Sequence, residues 1–527
     1  MQIENVGDFD AIVIGSGTAG LFAGNRLLKQ GHRVLLLEKH VTPGGYTANF
    51  ERKGFRFDAS NHFVGGCEPG GMAYENLVKI GAQDRVEFIS HESFACVVDE
   101  ARGITYHPTW KLEEHIDLLV KLFPQEEKGI RSFYEEYESL IKGLFTHLMK
   151  QAEQNMGQAG QITTAMEEYL GLKGKSAQDL MDGHVSDPEL MGMMSGIMSG
   201  SLGVLYDELD ATFFIMGDVA SRMRGGFTYY PKGGSGTMTR VLADLFQENG
   251  GTLLLNSEVK EITFSDGLAD GVIANKGKSQ RLAARGRCVI AASDLTTLVN
   301  RLCPEGTFPG DYVKSINERI PGRSCVMLFA GLDIDLRQHG ITHFEHMRTW
   351  GEAMTPSLLA EIAREGDYSK LPSAHVAVYS NLDPSCCPEG KSVITTMDMA
   401  DPELFERSLD PGRKRGKAYK ELKQRITSQL LKKAARALGI PDLESHVEVL
   451  EVATPITLER YTGNRGGSFV GWKWTAKQAA EDHFAQQSPV DNLFLCGHWV
   501  SPGGGVNFAM TGGTNAGEFA DAYLRSR

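Results

Sequence analysis

Short apolar runs separated by a glycine-rich turn and a helix characterise residues 10–39. Residues 11–14 and Val34–Leu37 are uninterrupted apolar runs, a pattern typical of strands buried on both faces of a parallel sheet. The residues between them begin with glycines, continue as a helix and reach a second turn. This order predicts a strand, helix, strand unit whose two strands are parallel.

The same pattern returns in two later pieces of the chain. Residues 229–262 contain a glycine-rich turn, an amphipathic helix, a stop at Gly250 and Gly251 and a strand that begins at Thr252. Residues 287–294 are predicted to form a strand that returns towards the first glycine turn. Near the C-terminus, residues 493–496 predict a strand, residues 503–505 a glycine turn and the residues from Val506 or Asn507 onwards a helix. Chain ends are usually frayed, so this constrained ending indicates a close approach of the backbone to something.

Composition and charge exclude several classes of protein. The chain has 527 residues, 41% of them hydrophobic, and a net charge of −13, which is ordinary for a soluble protein of several domains but not for a general nucleic-acid binder. It contains no apolar run of about 18 residues and no signal-peptide pattern, so we expect neither a spanning helix nor a secretory leader. The eight cysteines show no C-x-x-C spacing, which favours a reducing compartment over a disulfide framework or a structural zinc site.

The first glycine turn has the spacing of a dinucleotide-binding fingerprint. Its G-x-G-x-x-G pattern directly follows a predicted strand, and the helix after it would direct free N–H groups and a positive dipole end at the phosphates of a dinucleotide. The predicted cofactor contacts in this turn are Gly15, Ser16, Gly17, Thr18, Ala19 and Gly20. Glu38 ends the second strand, where it is placed to accept hydrogen bonds from ribose hydroxyls, and Lys39 adjoins it.

A second glycine pair decides between FAD and NAD. Gly44 and Gly45 follow Glu38 closely, and this arrangement resembles the extended FAD signature of flavin oxidoreductases. The pattern is similar to that of the phytoene desaturase, carotenoid isomerase and retinol saturase family, a branch of the same large fold group as the amine oxidases. The resemblance covers nearly the whole chain and implies FAD as the cofactor. Further contacts with FAD are expected at Gly44, Gly45, Tyr46, Thr47, Val259 and Gly497.

Two positions depart from the pattern of the resembling family. Tyr46 follows Gly45 where the family often has an arginine at the pyrophosphate, so the phosphate contacts must rely more on backbone and helix dipole. The usual D-x-G-x-H becomes D-A-S-N-H, from Asp58 to His62. His62 is the predicted catalytic acid or base by its location, and a buried structural histidine is an equal alternative.

The resemblance implies an α/β fold with a discontinuous Rossmann-like FAD-binding domain and an inserted α+β substrate domain. We expect residues 1–95, 225–304 and 481–527 in the FAD-binding domain and residues 96–224 and 305–480 in the substrate-binding domain. By period and composition the first inserted block is rich in helices, and the second mixes helices with strands such as residues 324–332 and 375–380.

The C-terminal glycine turn is the predicted partner of the flavin ring. No Ser-His-Asp or Cys-His arrangement stands out in the sequence, so the difficult chemistry is assigned to the flavin. The turn around Gly504 is expected to let backbone approach the isoalloxazine ring. The helix that begins at Val506 or Asn507 would direct its positive end at the reduced ring.

Three segments of the inserted blocks each have a functional and a structural interpretation. Eight of the 19 methionines lie between Met181 and Met238, where they line a tunnel for a long apolar ligand or fill the core. Residues 412–439 predict a basic amphipathic helix that lies on an anionic membrane surface or is simply a solvated surface helix. Residues 454–472 resemble the family's segment before the last strand, which places aromatic surface near the substrate or forms a structural corner.

One histidine cluster raises the question of a metal site. His339, His343 and His346, beside Glu345, have a spacing that would suit a metal ion if the segment were helical. Gly340 and the β-branched residues after it disfavour a helix. We therefore expect a polar loop and no metal.

The leading hypothesis is an FAD-dependent oxidoreductase that desaturates, saturates or isomerises carbon–carbon bonds of a long apolar polyene, carotenoid, retinoid or other lipid. A flavin amine oxidase is the alternative enzyme, for which a small pocket with an aromatic cage would be expected. A prenyl- or lipid-binding chaperone of the GDP-dissociation-inhibitor type is the non-enzymatic alternative, and the intact glycine turns disfavour it. The expected location is the cytoplasm, with or without peripheral contact at a membrane, and the expected partner is a hydrophobic small molecule and not a nucleic acid.

Overall fold

The computed structural model describes residues 3–60, 63–91, 95–109, 111–155, 164–222, 228–351, 355–479 and 484–527. Within these residues the strands are β1 (Ile3–Ile14), β2 (Val34–Leu37), β3 (Asn49–Arg52), β4 (Phe55–Asp58), β5 (Val64–Gly65), β6 (Phe88–His91), β7 (Ala95–Asp99), β8 (Ile104–Tyr106), β9 (Thr228–Pro231), β10 (Thr252–Leu254), β11 (Ser257–Ser265), β12 (Leu268–Lys276), β13 (Gln280–Ala291), β14 (Ser324–Leu332), β15 (Glu345–Thr349), β16 (Ser373–Val378), β17 (Ser392–Ala400), β18 (Val447–Ala453) and β19 (Leu493–Leu495). The α-helices are α1 (Thr18–Lys29), α2 (Met72–Ile80), α3 (Leu112–Leu122), α4 (Glu127–Asn155), α5 (Thr164–Leu170), α6 (Ala177–Met181), α7 (Pro188–Leu202), α8 (Ala211–Arg222), α9 (Ser235–Glu248), α10 (Leu295–Thr297), α11 (Gly310–Glu318), α12 (Pro356–Glu365), α13 (Tyr379–Leu382), α14 (Pro402–Arg407), α15 (Lys417–Leu438), α16 (Pro455–Thr462), α17 (Ala476–Ala479) and α18 (Val506–Arg525).

A mixed sheet joins the three separated pieces that share the apolar and glycine pattern. β10, β2, β1, β13 and β19 are parallel neighbours, and β12 and β11 extend the sheet in antiparallel fashion from β13. Because parallel strands run in one direction, the chain leaves β1, β2, β13 and β19 at the same edge of the sheet. The glycine turns that follow β1, β2 and β19 therefore meet at that edge, where ligands of open α/β sheets bind.

Both faces of this first sheet are buried, which explains the uninterrupted apolar runs. Val13 and Leu36 point to the face covered by α1, α2, α9 and α18. Ile12 and Leu35 point to the opposite face and pack against β11, β12 and residues that follow β13. A strand that alternates between two buried faces has no position for a polar side chain.

A second sheet lies in the inserted blocks, in the order β18-β14-β17-β16-β15-β7-β8. Strand β14, which lies between β18 and β17, is buried along its whole length. Val326 and Leu328 face a core shared with α15, whereas Met327 and Phe329 face a core shared with Phe55 of the β3–β4 hairpin. Helices α3–α8 form a separate core, so the first inserted block is helical as predicted, apart from β7 and β8.

Packing contacts bear on two of the expected domain boundaries. Phe308 and Ile316 are buried against the first sheet, so α11 belongs by contact with the nucleotide-binding side. Ala95 begins β7 and pairs with Glu345 of β15 in the second sheet. We therefore propose that the substrate domain begins at about residue 95 and that its second block begins after α11 and not at residue 305.

The basic helix α15 uses its apolar side for packing. Ile426, Leu430 and Leu431 are buried in the core beneath the second sheet, and Leu422 is half-buried at its margin. The apolar side is therefore not free to enter a lipid surface. Of the helices in the described part of the chain, none combines the length and hydrophobicity needed to span a bilayer.

The methionine-rich segment contributes to two cores. Met181, Met191 and Met194 are buried in the core of the helical block, and Met238 is buried beneath the first sheet. At these four positions the side chains fill the interior, which agrees with the structural interpretation.

Candidate functional site

Two glycine turns meet at the carboxyl edge of the first sheet. The Gly44 N–H donates to the Ser16 carbonyl at 3.0 Å, and a Cβ added to Gly45 would lie 3.5 Å from the Cα of Gly17. The buried hydroxyls of Thr18 and Thr47 lie 2.9 Å apart. The structure thus brings residues 15–20 and 44–47 together, as the sequence predicts.

The three glycines of the first turn have different surroundings. Gly15 has a φ of +98°, and a Cβ on Gly20 would lie 1.9 Å from the Gly15 carbonyl oxygen, so the chain itself requires glycine at both positions. Gly17 has an ordinary φ of −65°, and a Cβ there would meet no atom of the described residues within 4 Å. We call this space the Gly17 cradle, because it is open to a ligand that approaches the backbone.

The helix N-termini at the site differ in whether a side chain of the protein accepts hydrogen bonds from their free N–H groups. Asp58 accepts a hydrogen bond from the Ser235 N–H at the start of α9, at 3.0 Å. By contrast, no side chain of the described residues caps α1 after Gly17 or α18 after Gly505. Uncapped N–H groups at the positive end of a helix suit anionic groups, so α1 and α18 are the helices placed to receive them.

Glu38 is buried and oriented by three protein donors. Its Oε2 accepts hydrogen bonds from the N–H and the hydroxyl of Ser16, both at 2.8 Å, and its Oε1 accepts one from the His40 N–H at 2.9 Å. An ionised carboxylate has about four lone-pair sites, so at least one stays available to a ligand hydroxyl.

Lys39 and Val259 lie beside Glu38 on neighbouring elements. Partial burial lowers the pKa of Lys39 from its usual range. The Ser257 N–H of β11 donates to the Glu38 carbonyl at 2.7 Å, and Val259 lies two residues further along that strand. Three of the expected cofactor contacts, Glu38, Lys39 and Val259, therefore lie on neighbouring segments at this edge of the sheet.

The C-terminal stretch enters the same edge. The Cys496 N–H donates to the Ala291 carbonyl at 3.0 Å, and the next residue, Gly497, has a φ of +105° with no atom of the described residues within 4 Å of an added Cβ. Helix α18 packs on α1 so closely that a Cβ on Gly513 would lie 2.2 Å from the Ala19 carbonyl oxygen. These contacts explain why the end of the chain is rich in glycine.

The sequence profile of flavin containing amine oxidoreductases matches residues 18–518. The protein belongs to this family. It is therefore an FAD-dependent oxidoreductase, as predicted, and this identity decides against the flavin-free chaperone alternative.

Curated proteins and solved structures agree with this placement. The chain is 25% identical to prolycopene isomerase 2, chloroplastic, of an Oncidium hybrid cultivar, over 96% of this chain and 82% of that protein. It is 24% identical to all-trans-retinol 13,14-reductase of Danio rerio, over 93% of this chain and 82% of that protein. Its fold is similar to an oxidoreductase from Methanosarcina mazei (TM-score 0.61, 18% identity, 97% and 100% of the two chains) and to putrescine oxidase with bound putrescine (TM-score 0.63, 15% identity, 99% and 100%). These findings confirm the predicted fold class and the predicted family resemblance.

Gly504 has a structural reason to be glycine in this flavoprotein. A Cβ at this position would lie 2.6 Å from the Val470 carbonyl oxygen, and one on Gly503 would lie 2.2 Å from the Trp474 ring. The turn is held against residues 470–474, so substitution of Gly504 would disturb the protein's own packing as well as any ligand. Gly505 is more open, since its Cβ would meet only Phe508, at 3.9 Å.

The first turn of α18 is joined to β5. The Asn507 Oδ1 accepts a hydrogen bond from the Gly65 N–H at 3.2 Å, and its Nδ2 donates to the Gly65 carbonyl at 2.5 Å. Val506 packs at the margin of the core beneath the first sheet. The predicted catalytic residue His62, three residues before Gly65, lies outside the described residues, and its role stays a prediction.

The Tyr46 hydroxyl points towards the backbone of residues 467 and 468 and not towards the glycine turns at residues 15–20 and 44–45. The oxygen lies 3.0 Å from the Gly467 carbonyl and 2.9 Å from the Ser468 carbonyl, so its single proton is shared between these acceptors. Burial raises the pKa of Tyr46. At the position of the family's arginine, the tyrosine therefore anchors the turn at residues 465–467.

His498 is a site residue that the sequence analysis did not select. It follows Gly497, and its ring centroid lies 6.0 Å from that of Tyr46. Loss of contact with water lowers the pKa of His498 to about 4, which makes it a neutral imidazole at neutral pH. Its position directly after Gly497, the glycine that follows the last strand, is the sequence signal that identifies it.

Residues 454–472 form a structural corner around Trp472. Trp472 is buried, its Nε1 donates to the Trp499 carbonyl at 2.9 Å, and the two indole rings meet edge to face at 4.7 Å. The exposed Tyr461 lies 5.5 Å from the His40 ring, which places it near Glu38.

Proposed function

We propose that this enzyme acts on carbon–carbon bonds of a long apolar polyene, by desaturation, saturation or cis–trans isomerisation. The observation that carries the proposal is the similarity to two enzymes named for reactions of prolycopene and of retinol, both conjugated polyenes. That similarity extends over 96% and 93% of this chain and so includes the inserted blocks that supply the substrate side. The likeness to putrescine oxidase concerns the fold alone and does not favour an amine substrate.

The described residues fit FAD, and we propose how they hold it. The Gly17 cradle and the uncapped start of α1 would receive the pyrophosphate, with Thr18 and Thr47 beside it. Glu38 would accept a hydrogen bond from a ribose hydroxyl at its remaining lone-pair site. Gly497 and the uncapped start of α18 would lie at the flavin end.

Bound flavin supplies hydride transfer to or from carbon. The chain contributes the surroundings of that transfer. The N–H groups at the start of α18 would stabilise negative charge on the reduced flavin, and Asn507 of α18 holds this turn of the helix to β5 through two hydrogen bonds with Gly65. Phe63, beside β5, contacts Phe344 at a centroid distance of 5.3 Å, and Phe344 contacts Tyr379 at 5.1 Å. This aromatic row is the apolar wall that we propose for the polyene.

Identification of bound lipid tests the proposed substrate class. The purified holoprotein would be extracted with organic solvent and the extract examined by mass spectrometry, while a panel of primary amines is assayed for hydrogen peroxide release. We expect an isoprenoid or polyene in the extract. If a polyene is added before purification, we expect it in the extract in place of the original lipid. We expect no peroxide from amines. Amine-dependent peroxide release without polyene binding would contradict the proposal.

We propose that any contact of this enzyme with a membrane is electrostatic. The apolar side of α15 is buried, whereas Lys417, Lys420 and Lys432 are exposed. Exposed lysines attract anionic lipid headgroups in a salt-dependent manner. Co-sedimentation with vesicles of anionic or neutral lipid tests this: binding should require anionic lipid and be lost in the K417E/K420E/K432E variant, and salt-independent binding to neutral vesicles would contradict it.

A further inference from the structure

Three potential metal ligands meet at one end of the second sheet. The Sγ of Cys96 and one ring nitrogen each of His107 and His343 lie within 4.8 Å of one another. Cys96 belongs to β7, His107 follows β8 and His343 precedes β15, so three separate segments contribute. His107 is exposed and the other two side chains are half-buried, which leaves the cluster accessible to an ion from solvent.

The His107 imidazole has the kind of backbone hydrogen bond that metal-bound histidines usually have. The Nδ1 of His107 lies 3.3 Å from the Ala95 carbonyl oxygen. A proton on Nδ1 is therefore donated to that carbonyl, and the unprotonated Nε2 is left to bind a metal ion. The His107 and His343 rings stack at 4.6 Å with an interplanar angle of 17°. Tetrahedral zinc, with bonds of about 2.3 Å to sulfur and about 2.0 Å to nitrogen, needs ligand atoms about 3.3–3.6 Å apart. Because the ligand atoms lie within 4.8 Å of one another, an approach of up to about 1.5 Å, with rotation of the stacked rings so that their nitrogens converge, reaches that geometry.

A third imidazole beside the cluster has a buried ring nitrogen that lacks a hydrogen-bond partner among the described residues. His346 pairs with Cys96 across β15 and β7, so both side chains project from the same face of the sheet. His346 is 7% exposed, its ring lies 6.0 Å from that of His343, and its Nε2 has no hydrogen-bond partner among the described residues. Burial of an unpaired ring nitrogen is unfavourable, and an adjacent metal ion or its bound water would satisfy it.

We propose that Cys96, His107 and His343 bind a divalent transition-metal ion of the zinc class. A thiolate with two imidazoles is a donor set for Zn²⁺ and Co²⁺ and not for Mg²⁺ or Ca²⁺, which prefer oxygen ligands. Binding forms one metal–sulfur and two metal–nitrogen bonds and releases the thiol proton of Cys96 to solvent. The ion fastens the β7–β8 hairpin to the segment before β15. Phe344, next to His343, carries that constraint to the aromatic row at Phe63.

This site differs from the one that the sequence analysis considered and set aside. His339 ends a short 3-10 turn, Leu336–His339, and His346 lies on β15, so the three histidines of that segment do not share a helix face. Only His343 of that set joins the cluster, and its partners come from residues 96 and 107.

Cobalt titration of the full-length, FAD-loaded protein tests the proposal. After removal of metal by a chelator, one equivalent of Co²⁺ should produce ligand-field bands at wavelengths longer than those of flavin absorption, with a thiolate-to-cobalt band in the difference spectrum. Cys96→Ser should abolish the thiolate band. His107→Ala and His343→Ala should weaken Co²⁺ affinity by about tenfold or more, since each removes a bond to the ion.

Matched variants outside the cluster complete the test. Cys387→Ser removes another half-buried thiol and His446→Ala another accessible imidazole, and both should bind Co²⁺ as the unmodified protein does. Because His107 is exposed, its replacement leaves the core intact and remains informative if Cys96→Ser does not fold, as judged by FAD content. Failure of the unmodified protein to bind one equivalent, or equal affinity in the His107 and control variants, would overturn the proposal.

Discussion

A methyl group at Gly17 and a methyl group at Gly20 would meet different surroundings, although both glycines belong to one fingerprint. At Gly17 the backbone is acceptable for alanine and the Cβ meets no atom of the described residues within 4 Å. We expect Gly17→Ala to leave the unfolding free energy of the FAD-free protein within about 0.5 kcal/mol of the original. The added carbon fills the Gly17 cradle, so FAD affinity should fall about tenfold or more. FAD titration and urea unfolding measure the two effects.

Gly20→Ala is the control for that prediction. Its Cβ would lie 1.9 Å from the Gly15 carbonyl oxygen, so the helix must shift and the protein should lose about 2–3 kcal/mol of stability even without FAD. Unchanged FAD affinity in Gly17→Ala would show that the cofactor does not approach this backbone.

Asp58 gives the protein a pH dependence at the residue scale. Burial raises the pKa of Asp58 to about 6 from 3.8, against hydrogen bonds from Tyr230 and Ser235 that lower it. Between about pH 4 and about pH 6 the unfolded chain has released this proton and the folded protein has not, so unfolding free energy falls as pH rises, by about 3 kcal/mol, and is level above that window. Asp58→Asn stays neutral and should lack this component. Urea unfolding of both proteins at about pH 4 and about pH 6.5 checks it, and parallel pH profiles would contradict it.

At the scale of elements, α15 is attached to the second sheet by an ion pair in which the lysine is buried and the aspartate is half-buried. The Nζ of Lys433 lies 2.7 Å from the Asp398 Oδ2 of β17, and the lysine side chain is 8% exposed. Lys433→Ala should destabilise the protein by about 3 kcal/mol, because Asp398 loses its ion-pair partner. Its exposed neighbour Lys432 is the control, and Lys432→Ala should change stability by less than about 0.5 kcal/mol. Equal unfolding midpoints in urea for the two variants would refute the assignment.

Some elements follow from local sequence and others only from tertiary pairing. Val34–Leu37 and Ser324–Leu332 coincide with β2 and β14, and α18 begins at Val506 as expected, because apolar periodicity and glycine placement are local signals. β1 instead extends back to Ile3 through polar residues, since it is held there by pairing with β13. No local pattern predicts that extension.

The candidate site divides in the same way. The glycines and Glu38 carry their chemistry in their spacing, so the sequence predicts their meeting. The hydrogen bonds of Tyr46 to residues 467 and 468 and the packing of Gly504 on Val470 depend on segments that are distant in sequence. The meeting of Cys96 and His107 with His343 is of the same kind.

At the scale of the whole molecule, the two ends of the chain meet at one edge of the first sheet, and we propose that they form one cofactor site and that the inserted blocks form the substrate side. β1 and β19 both pair with β13, and α18 packs on α1, so a cofactor that spans both glycine turns would join the N- and C-terminal pieces. FAD should therefore stabilise the two ends together, in proportion to its affinity.

Anaerobic mixing of the FAD-loaded enzyme with a polyene tests the central claim most directly. Carotenoid and retinol would be added to oxidised enzyme and, separately, to chemically reduced enzyme, while the flavin and polyene absorption bands are followed together and the products are separated by chromatography. We predict a change in the number or geometry of the polyene double bonds in at least one flavin state and none with FAD-free protein. Unchanged polyenes in both states, with flavin bleached instead by a primary amine, would contradict the account.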